Sequence, residues 1–137
     1  MNRHDQPVRH RVLIVDDEEA TRLLLARILT KDLKVEVTLA GTCEQALRLA
    51  GNFAYDAILL DLSMPGIGGL EVLRAIRAAS PNMATPVVIV SMLADELTKQ
   101  RCLAAGCNDY LEKPVERRAL VAAVKAQIAA RVKPPEG

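Results

Sequence analysis

Asp17, Asp61, Ser91 and Lys113 follow one another at intervals of 44, 30 and 22 residues, each at or just past the end of an apolar, strand-like run. Open α/β sheets gather their chemistry at the carboxyl ends of strands. With Asp16 beside Asp17, a carboxylate pair, a lone carboxylate, a hydroxyl and an amine would therefore meet on one rim. Clustered carboxylates repel one another, and a hard divalent cation such as Mg2+ (or Mn2+) relieves that repulsion through oxygen ligands. A hydroxyl and an ammonium each suit one oxygen of a phosphoryl group, the ammonium as a point charge.

Each residue also has an ordinary reading. A carboxylate between a strand and a helix, as at Asp16-Asp17, is commonly an N-cap. Asp61 in Leu59-Leu60-Asp61-Leu62-Ser63-Met64-Pro65 could cap a loop, or act as a carboxylate nucleophile that forms an acyl phosphate. Ser91 alone is turn chemistry, and a lysine alone is a solvated charge. Lys113-Pro114 is more pointed, because the proline restricts the lysine backbone and admits a cis bond that aims the side chain inward.

The elements that must position these groups alternate. Val12-Leu13-Ile14-Val15 is a β-branched run, followed by helical rhythm in Ala20, Leu23, Leu24, Arg27 and Ile28 to about Lys31. Val35, Val37 and Leu39 alternate with polar residues as in a half-buried edge strand. Thr42 then opens a helix, with Gln45 at capping-box spacing. Ala57 to Leu60 and Val87 to Val90 are apolar throughout, as strands covered on both faces are. The loop from Ser63 to Gly69 leads to a helix from about Leu70 to Ala79, and another helix runs from about Ala94 to Ala105 with Gly106 as its C-cap. Tyr110-Leu111 marks a short fifth strand, and a last helix spans roughly Glu116 to Arg131. Five strands alternating with five helices imply a parallel sheet with right-handed crossovers and helices on both faces. We expect a polar tail over 1–10, one domain over 11–131 and a short tail over 132–137.

Bulk properties bound the function. The 137 residues fit one domain, half of them are apolar, and 18 basic against 17 acidic residues leave +1. That balance points to neither a nucleic-acid nor a membrane partner. Phe53, Tyr55 and Tyr110 are too few aromatics for a base-stacking platform. Cys43, Cys102 and Cys107 are odd in number, lie in expected helices and lack metal-ligand spacing, so reduced thiols and a cytoplasmic protein are expected. No signal peptide or bilayer-spanning run is visible.

From Arg11 to Arg131 the sequence resembles the receiver domain of bacterial two-component response regulators. The resemblance rests on the run ending in Asp16-Asp17, Ile58-Leu59-Leu60-Asp61-Leu62-Ser63-Met64-Pro65, the strand ending at Ser91, and Gly106-Cys107-Asn108-Asp109-Tyr110-Leu111-Glu112-Lys113-Pro114, all in order. It implies a flavodoxin-like (βα)5 sheet of order 2-1-3-4-5. It also implies Asp61 as phosphoacceptor and Asp17 as a direct Mg2+ ligand, with Asp16 helping through water and the Ser63 backbone carbonyl adding a ligand. Lys113 would pair with the phosphoryl group and Ser91 would hydrogen-bond it. Tyr110 takes the switch position, moving with Ser91 to reshape the face of the fourth helix, fifth strand and fifth helix. An edge-strand tyrosine that merely packs is the plainer alternative.

Three positions depart from the family's habit. Ser63 borders the path of hydrolytic water, Met92 stands where many members have a small residue, and Val115 stands where phenylalanine is frequent. The first two are expected to tune the rate.

The resemblance implies phosphorylation by a histidine kinase or histidine phosphotransfer protein, output through protein contacts, and no metabolic turnover. His4 and His10 are the only histidines, so the chain is not expected to be the kinase. A monomer or a phosphorylation-dependent homodimer is expected, with Arg118 and Asp109 near the switching face available for charge pairs. After Arg131 only Val-Lys-Pro-Pro-Glu-Gly remains, which fits a stand-alone receiver or one domain of a longer regulator. The alternatives are a receiver-fold scaffold that has lost phosphorylation and a small Mg2+-dependent phosphohydrolase of the haloacid dehalogenase type. The latter family places a second aspartate two residues after the first, where this chain has Ser63.

Overall fold

A computed structural model describes residues 9–131. The expected C-terminal tail, 132–137, and most of the expected N-terminal tail, 1–8, lie outside the described residues. The elements are β1 (Arg11–Val15), α1 (Glu19–Leu33), β2 (Glu36–Ala40), α2 (Cys43–Asn52), β3 (Ala57–Leu60), α3 (Gly69–Ala78), β4 (Val87–Ser91), α4 (Glu96–Ala105), β5 (Asp109–Glu112) and α5 (Arg117–Arg131). The strands form one sheet of order β2-β1-β3-β4-β5, parallel throughout. This is the flavodoxin-like arrangement expected from the alternation and the resemblance.

The period of two along each strand divides the core in two. Leu13, Val15, Ile58, Leu60, Val87 and Ile89 face one side, where they meet Ala46, Val72, Leu73 and Ile76 of α2 and α3. Val12, Ile14, Ala57, Leu59, Val88 and Val90 face the other, against Leu25, Ile28 and Leu29 of α1 and Leu120, Val124 and Ile128 of α5. Each fully buried Leu or Ile contributes about 1.5–3 kcal/mol. β1, β3 and β4 are covered on both faces, which is why they read as unbroken apolar runs.

Helix ends depart from expectation for local reasons. The buried stripe of α1 is Leu25, Ile28 and Leu29, whereas Leu23 and Leu24 are exposed. The helix continues to Leu33 because Lys34 adopts a left-handed conformation and returns its N–H to the Thr30 carbonyl. At α2, Thr42 accepts from the Gln45 N–H at 3.1 Å, but Gln45 Oε1 reaches back to the Gly41 N–H at 2.9 Å, one residue earlier than a capping box requires. α4 begins at Glu96, two residues later than expected, because Asp95 caps it through the Thr98 N–H at 3.0 Å. Cys107 stands beyond α4, after Gly106, and not in a helix. All three cysteines are free and buried.

Candidate functional site

Three strands end in the same local device. Asp16 Oδ1 accepts the Glu18 N–H at 2.9 Å, Asp61 Oδ1 accepts the Ser63 N–H at 3.0 Å, and Ser91 Oγ accepts the Leu93 N–H at 3.2 Å. A short polar side chain that bonds the backbone two residues on turns the chain out of the strand. Each strand therefore stops with a polar side chain fixed at the carboxyl rim. The backbone ladder continues one step further, with Asp16 N–H to the Ala40 carbonyl (3.1 Å), Asp61 N–H to Val15 (3.0 Å) and Lys113 N–H to Ser91 (2.9 Å).

These anchors bring the predicted residues together. Asp16 is 1% exposed and Asp61 5%. The Lys113 ammonium bridges them, donating to Asp16 Oδ2 at 2.7 Å and to Asp61 Oδ2 at 3.1 Å. The Lys113-Pro114 peptide is cis. Burial, the largest influence on the Lys113 pKa, pulls it down, but the hydrogen bonds to Asp16 and Asp61 and their charges together raise it above the ordinary lysine value. The lysine is thus held as a cation.

Asp17 is exposed, and one carboxylate oxygen each of Asp16, Asp17 and Asp61 lie within 4.8 Å of one another. Among the described residues, the Lys113 ammonium pairs with two of these carboxylates, and the Arg22 guanidinium donates to the Asp16 backbone carbonyl at 2.7 Å, so the three negative charges are not fully offset. An all-oxygen donor set with uncompensated negative charge fits a hard divalent cation.

Ser91 is fully buried. Tyr110 lies on the neighbouring strand, opposite Ile89 in register, and its hydroxyl donates to the Leu93 carbonyl in the loop that follows Ser91. Its ring packs against the α2–α3 core cluster, with the Lys99 ammonium 5.6 Å from the ring centroid. Burial, chiefly, pushes the Tyr110 phenol above its ordinary value. Ser63 is exposed beside Asp61. Met92 is 77% exposed and borders a groove with Leu24, Lys113, Pro114 and Val115. Arg118 is exposed, and Asp109 is half-buried, accepting the Tyr110 N–H at 2.8 Å.

One positioning residue escaped the reading of the sequence. A Cβ at Gly69 would lie 2.3 Å from the Asp61 carbonyl oxygen and 2.7 Å from the Leu62 Cα. The first turn of α3 therefore rests directly on the backbone that carries Asp61, with the Gly69 N–H directed to the Leu62 carbonyl at 3.3 Å. Gly68-Gly69 at a helix start is the signal; it reads as loop composition unless close backbone approach is considered.

The arrangement has close parallels. Residues 12–125 match the family model described as the response regulator receiver domain. The chain is 36% identical over 122 residues to the transcriptional regulatory protein ResD of Bacillus subtilis, covering 89% of this chain and 49% of that protein. It is 39% identical over 116 residues to the sensory/regulatory protein RpfC of Xanthomonas campestris, covering 82% of this chain and 16% of that one. The chain thus spans about half the length, or less, of these curated relatives. Among solved structures, a CheY-like receiver domain protein from Methanospirillum hungatei superposes with a TM-score of 0.82 at 27% identity, over 88% of this chain and 94% of that one. The receiver domain of sensor histidine kinase PA1611 from Pseudomonas aeruginosa, with a magnesium ion coordinated in its active-site cleft, gives 0.80 at 32% identity over 88% and 98%. On the family match, the order of the sheet and the likeness to these receivers, the chain belongs to the response regulator receiver domain family of two-component systems.

Proposed function

We propose that Asp61 is the phosphoacceptor of this receiver, taking a phosphoryl group from the phosphohistidine of a histidine kinase or histidine phosphotransfer protein. The observation that carries this reading is the Lys113 ammonium bridging two buried carboxylates, with a third carboxylate within 4.8 Å. A carboxylate attacks a polyanionic donor only where positive charge screens the oxygens and aligns the groups. Asp16, Asp17 and Asp61, with the Ser63 backbone carbonyl, would hold Mg2+ (or Mn2+), which when bound neutralises phosphoryl charge.

An Asp61 carboxylate oxygen bonds to phosphorus as the phosphorus–nitrogen bond to the donor imidazole breaks, giving an acyl phosphate. Lys113 pairs with one phosphoryl oxygen, and the Ser91 hydroxyl donates to another. Ser91 and Tyr110 then act as the switch. Moving Ser91 disturbs the loop through Leu93, whose carbonyl receives the Tyr110 hydroxyl, and the change reaches the α4–β5–α5 face that an output partner or a second copy would read. Ser63 and Met92, at the mouth, set how fast donors and water enter. The protein assists its own phosphorylation and dephosphorylation and turns over no separate metabolite. No described helix is long and apolar enough to cross a membrane.

Incubation with acetyl phosphate and Mg2+, followed by intact-mass measurement, tests the assignment. One phosphoryl group is expected on the wild type, none on Asp61→Asn, and none after chelation of the metal. Undiminished labelling of Asp61→Asn would remove Asp61 as acceptor. A wild type that takes no label with any donor would favour the scaffold reading, and turnover of small phosphate esters the phosphohydrolase.

A further inference from the structure

α4 ends in a paired turn. Gly106, at φ 105°, directs its N–H to the Leu103 carbonyl at 3.1 Å, and Cys107 directs its own to the Cys102 carbonyl at 3.0 Å. In this helix ending the side chain after the glycine frequently packs on the side chain five residues before it. Here both side chains are thiols.

Cys102 is 1% exposed and Cys107 7%, and both belong to the same apolar cluster. Burial, the charge of Cys102 and that of Asp109 push the Cys107 thiol up to about 11, while the Arg77 guanidinium pulls the other way. Arg77 is fastened at this turn, donating to the Gly106 carbonyl from Nε at 3.1 Å and Nη2 at 2.9 Å. Cys43 is elsewhere in the cluster, its Sγ 3.6 Å from the Pro65 carbonyl oxygen. Within α4, Cys102 is the one buried residue. The helix is therefore held to the core through one of the two thiols that flank this turn.

We propose that Cys102 and Cys107 form a reversible intramolecular disulfide on exposure to a peroxide, fastening the last turn of α4 to the chain that enters β5. Burial keeps both groups as unreactive thiols while α4 is packed. Reaction proceeds through local openings of this lightly anchored helix, in which the burial penalty on the thiolate fades. The Cys107 thiolate attacks one peroxide oxygen, the oxygen–oxygen bond breaks, and hydroxide leaves to be protonated as water, giving a sulfenic acid. The Cys102 thiolate then attacks that sulfur, the sulfur–oxygen bond breaks, and the second oxygen leaves as water. Two thiols lose two electrons and the peroxide is reduced to two waters. The bond lies three residues before Tyr110, so it stiffens the α4–β5 surface. Its formation requires nothing of the phosphoacceptor assignment.

The folded full chain is treated with hydrogen peroxide near neutral pH, quenched, denatured, counted for free thiols and mapped by mass spectrometry. The count is expected to fall from the three cysteines of the chain to one. The tryptic peptide 102–117 should lose two hydrogen atoms, Cys43 should stay reduced, and dithiothreitol should restore all three thiols. Cys102→Ser or Cys107→Ser should abolish the loss of hydrogen from that peptide. If either variant fails to fold, the wild-type peptide map decides alone. Three surviving thiols, equal loss of Cys43, or disulfides only between chains would overturn the proposal.

Discussion

The two rims of this sheet both bury polar groups, yet they balance them in opposite ways. At the amino rim, Asn82 is fully buried and saturated: it accepts the Tyr55 N–H at 2.7 Å and the Thr85 hydroxyl at 3.0 Å, and donates to the Ala50 and Phe53 carbonyls, each at 2.7 Å. Arg77 there satisfies the carbonyls of Gly106, Asn82 and Met83 and the Asn108 side chain, and Arg131 closes on the Tyr55 carbonyl and the Thr85 hydroxyl. At the carboxyl rim, two of three clustered carboxylates, Asp16 and Asp61, share the Lys113 ammonium, and Asp17 stands beside them. A completed hydrogen-bond network stabilises and has no capacity left for a ligand. A rim with surplus negative charge is poised to receive a cation, and loses stability by waiting for one. Burial of polar groups thus marks function only where the hydrogen-bonding and charge inventory is left incomplete.

Asn82→Ala is the most damaging way to break that contrast. It strips partners from the Tyr55 N–H and two carbonyls in a site too enclosed for easy rehydration, so a loss of about 3–5 kcal/mol is expected from urea unfolding. The folded fraction should still accept phosphate from acetyl phosphate. Asp61→Asn should do the reverse, holding or raising stability in the absence of metal while abolishing labelling. If Asn82→Ala impaired labelling of the folded fraction as strongly as it impaired stability, the division of labour between the rims would be wrong.

The carboxyl rim was legible in the sequence and the amino rim was not, and the reason is physical. Strand ends are announced by apolar runs, so the sequence alone places Asp16, Asp61 and Ser91, and Lys113 follows from its proline. Asn82 and Thr85 lie between α3 and β4, where asparagine and threonine ordinarily mean turns. Only packing of distant segments, Tyr55 and Ala50 among them, turns such a residue into a buried hub. Helix faces fell between the two cases. Leu23-Leu24-Leu25 offers two apolar stripes, and tertiary contact selected the one containing Leu25. Cys107, grouped with the helical cysteines by its neighbourhood, lies past the positive-φ Gly106 that the sequence already marks as the end of α4.

Gly69→Ala sharpens the comparison at intermediate scale, because it loads the carboxyl rim without altering its charge. The added methyl meets backbone, not a flexible side-chain tip, so the start of α3 or the Asp61–Leu62 segment must move. Overpacking of this kind costs about 1–3 kcal/mol. Labelling by acetyl phosphate should fall well beyond what the loss of folded protein explains, since the displaced segment carries the acceptor. A variant that is destabilised but labels normally per folded molecule would reduce Gly69 to a packing residue.

The smallest effect is expected at Met92, where exposure separates rate from stability. A side chain that is 77% exposed contributes little to the core, so Met92→Ala should leave the urea midpoint unchanged. It follows buried Ser91 directly and borders the groove that Lys113 also lines, so its thioether chain stands on the approach to the site. Removing it should speed labelling by acetyl phosphate by roughly two- to fivefold, which corresponds to less than about 1 kcal/mol of barrier. Because stability is unaffected, a rate that is unchanged or slower can be charged only to access, and would mean that donors reach Asp61 past Ser63 instead.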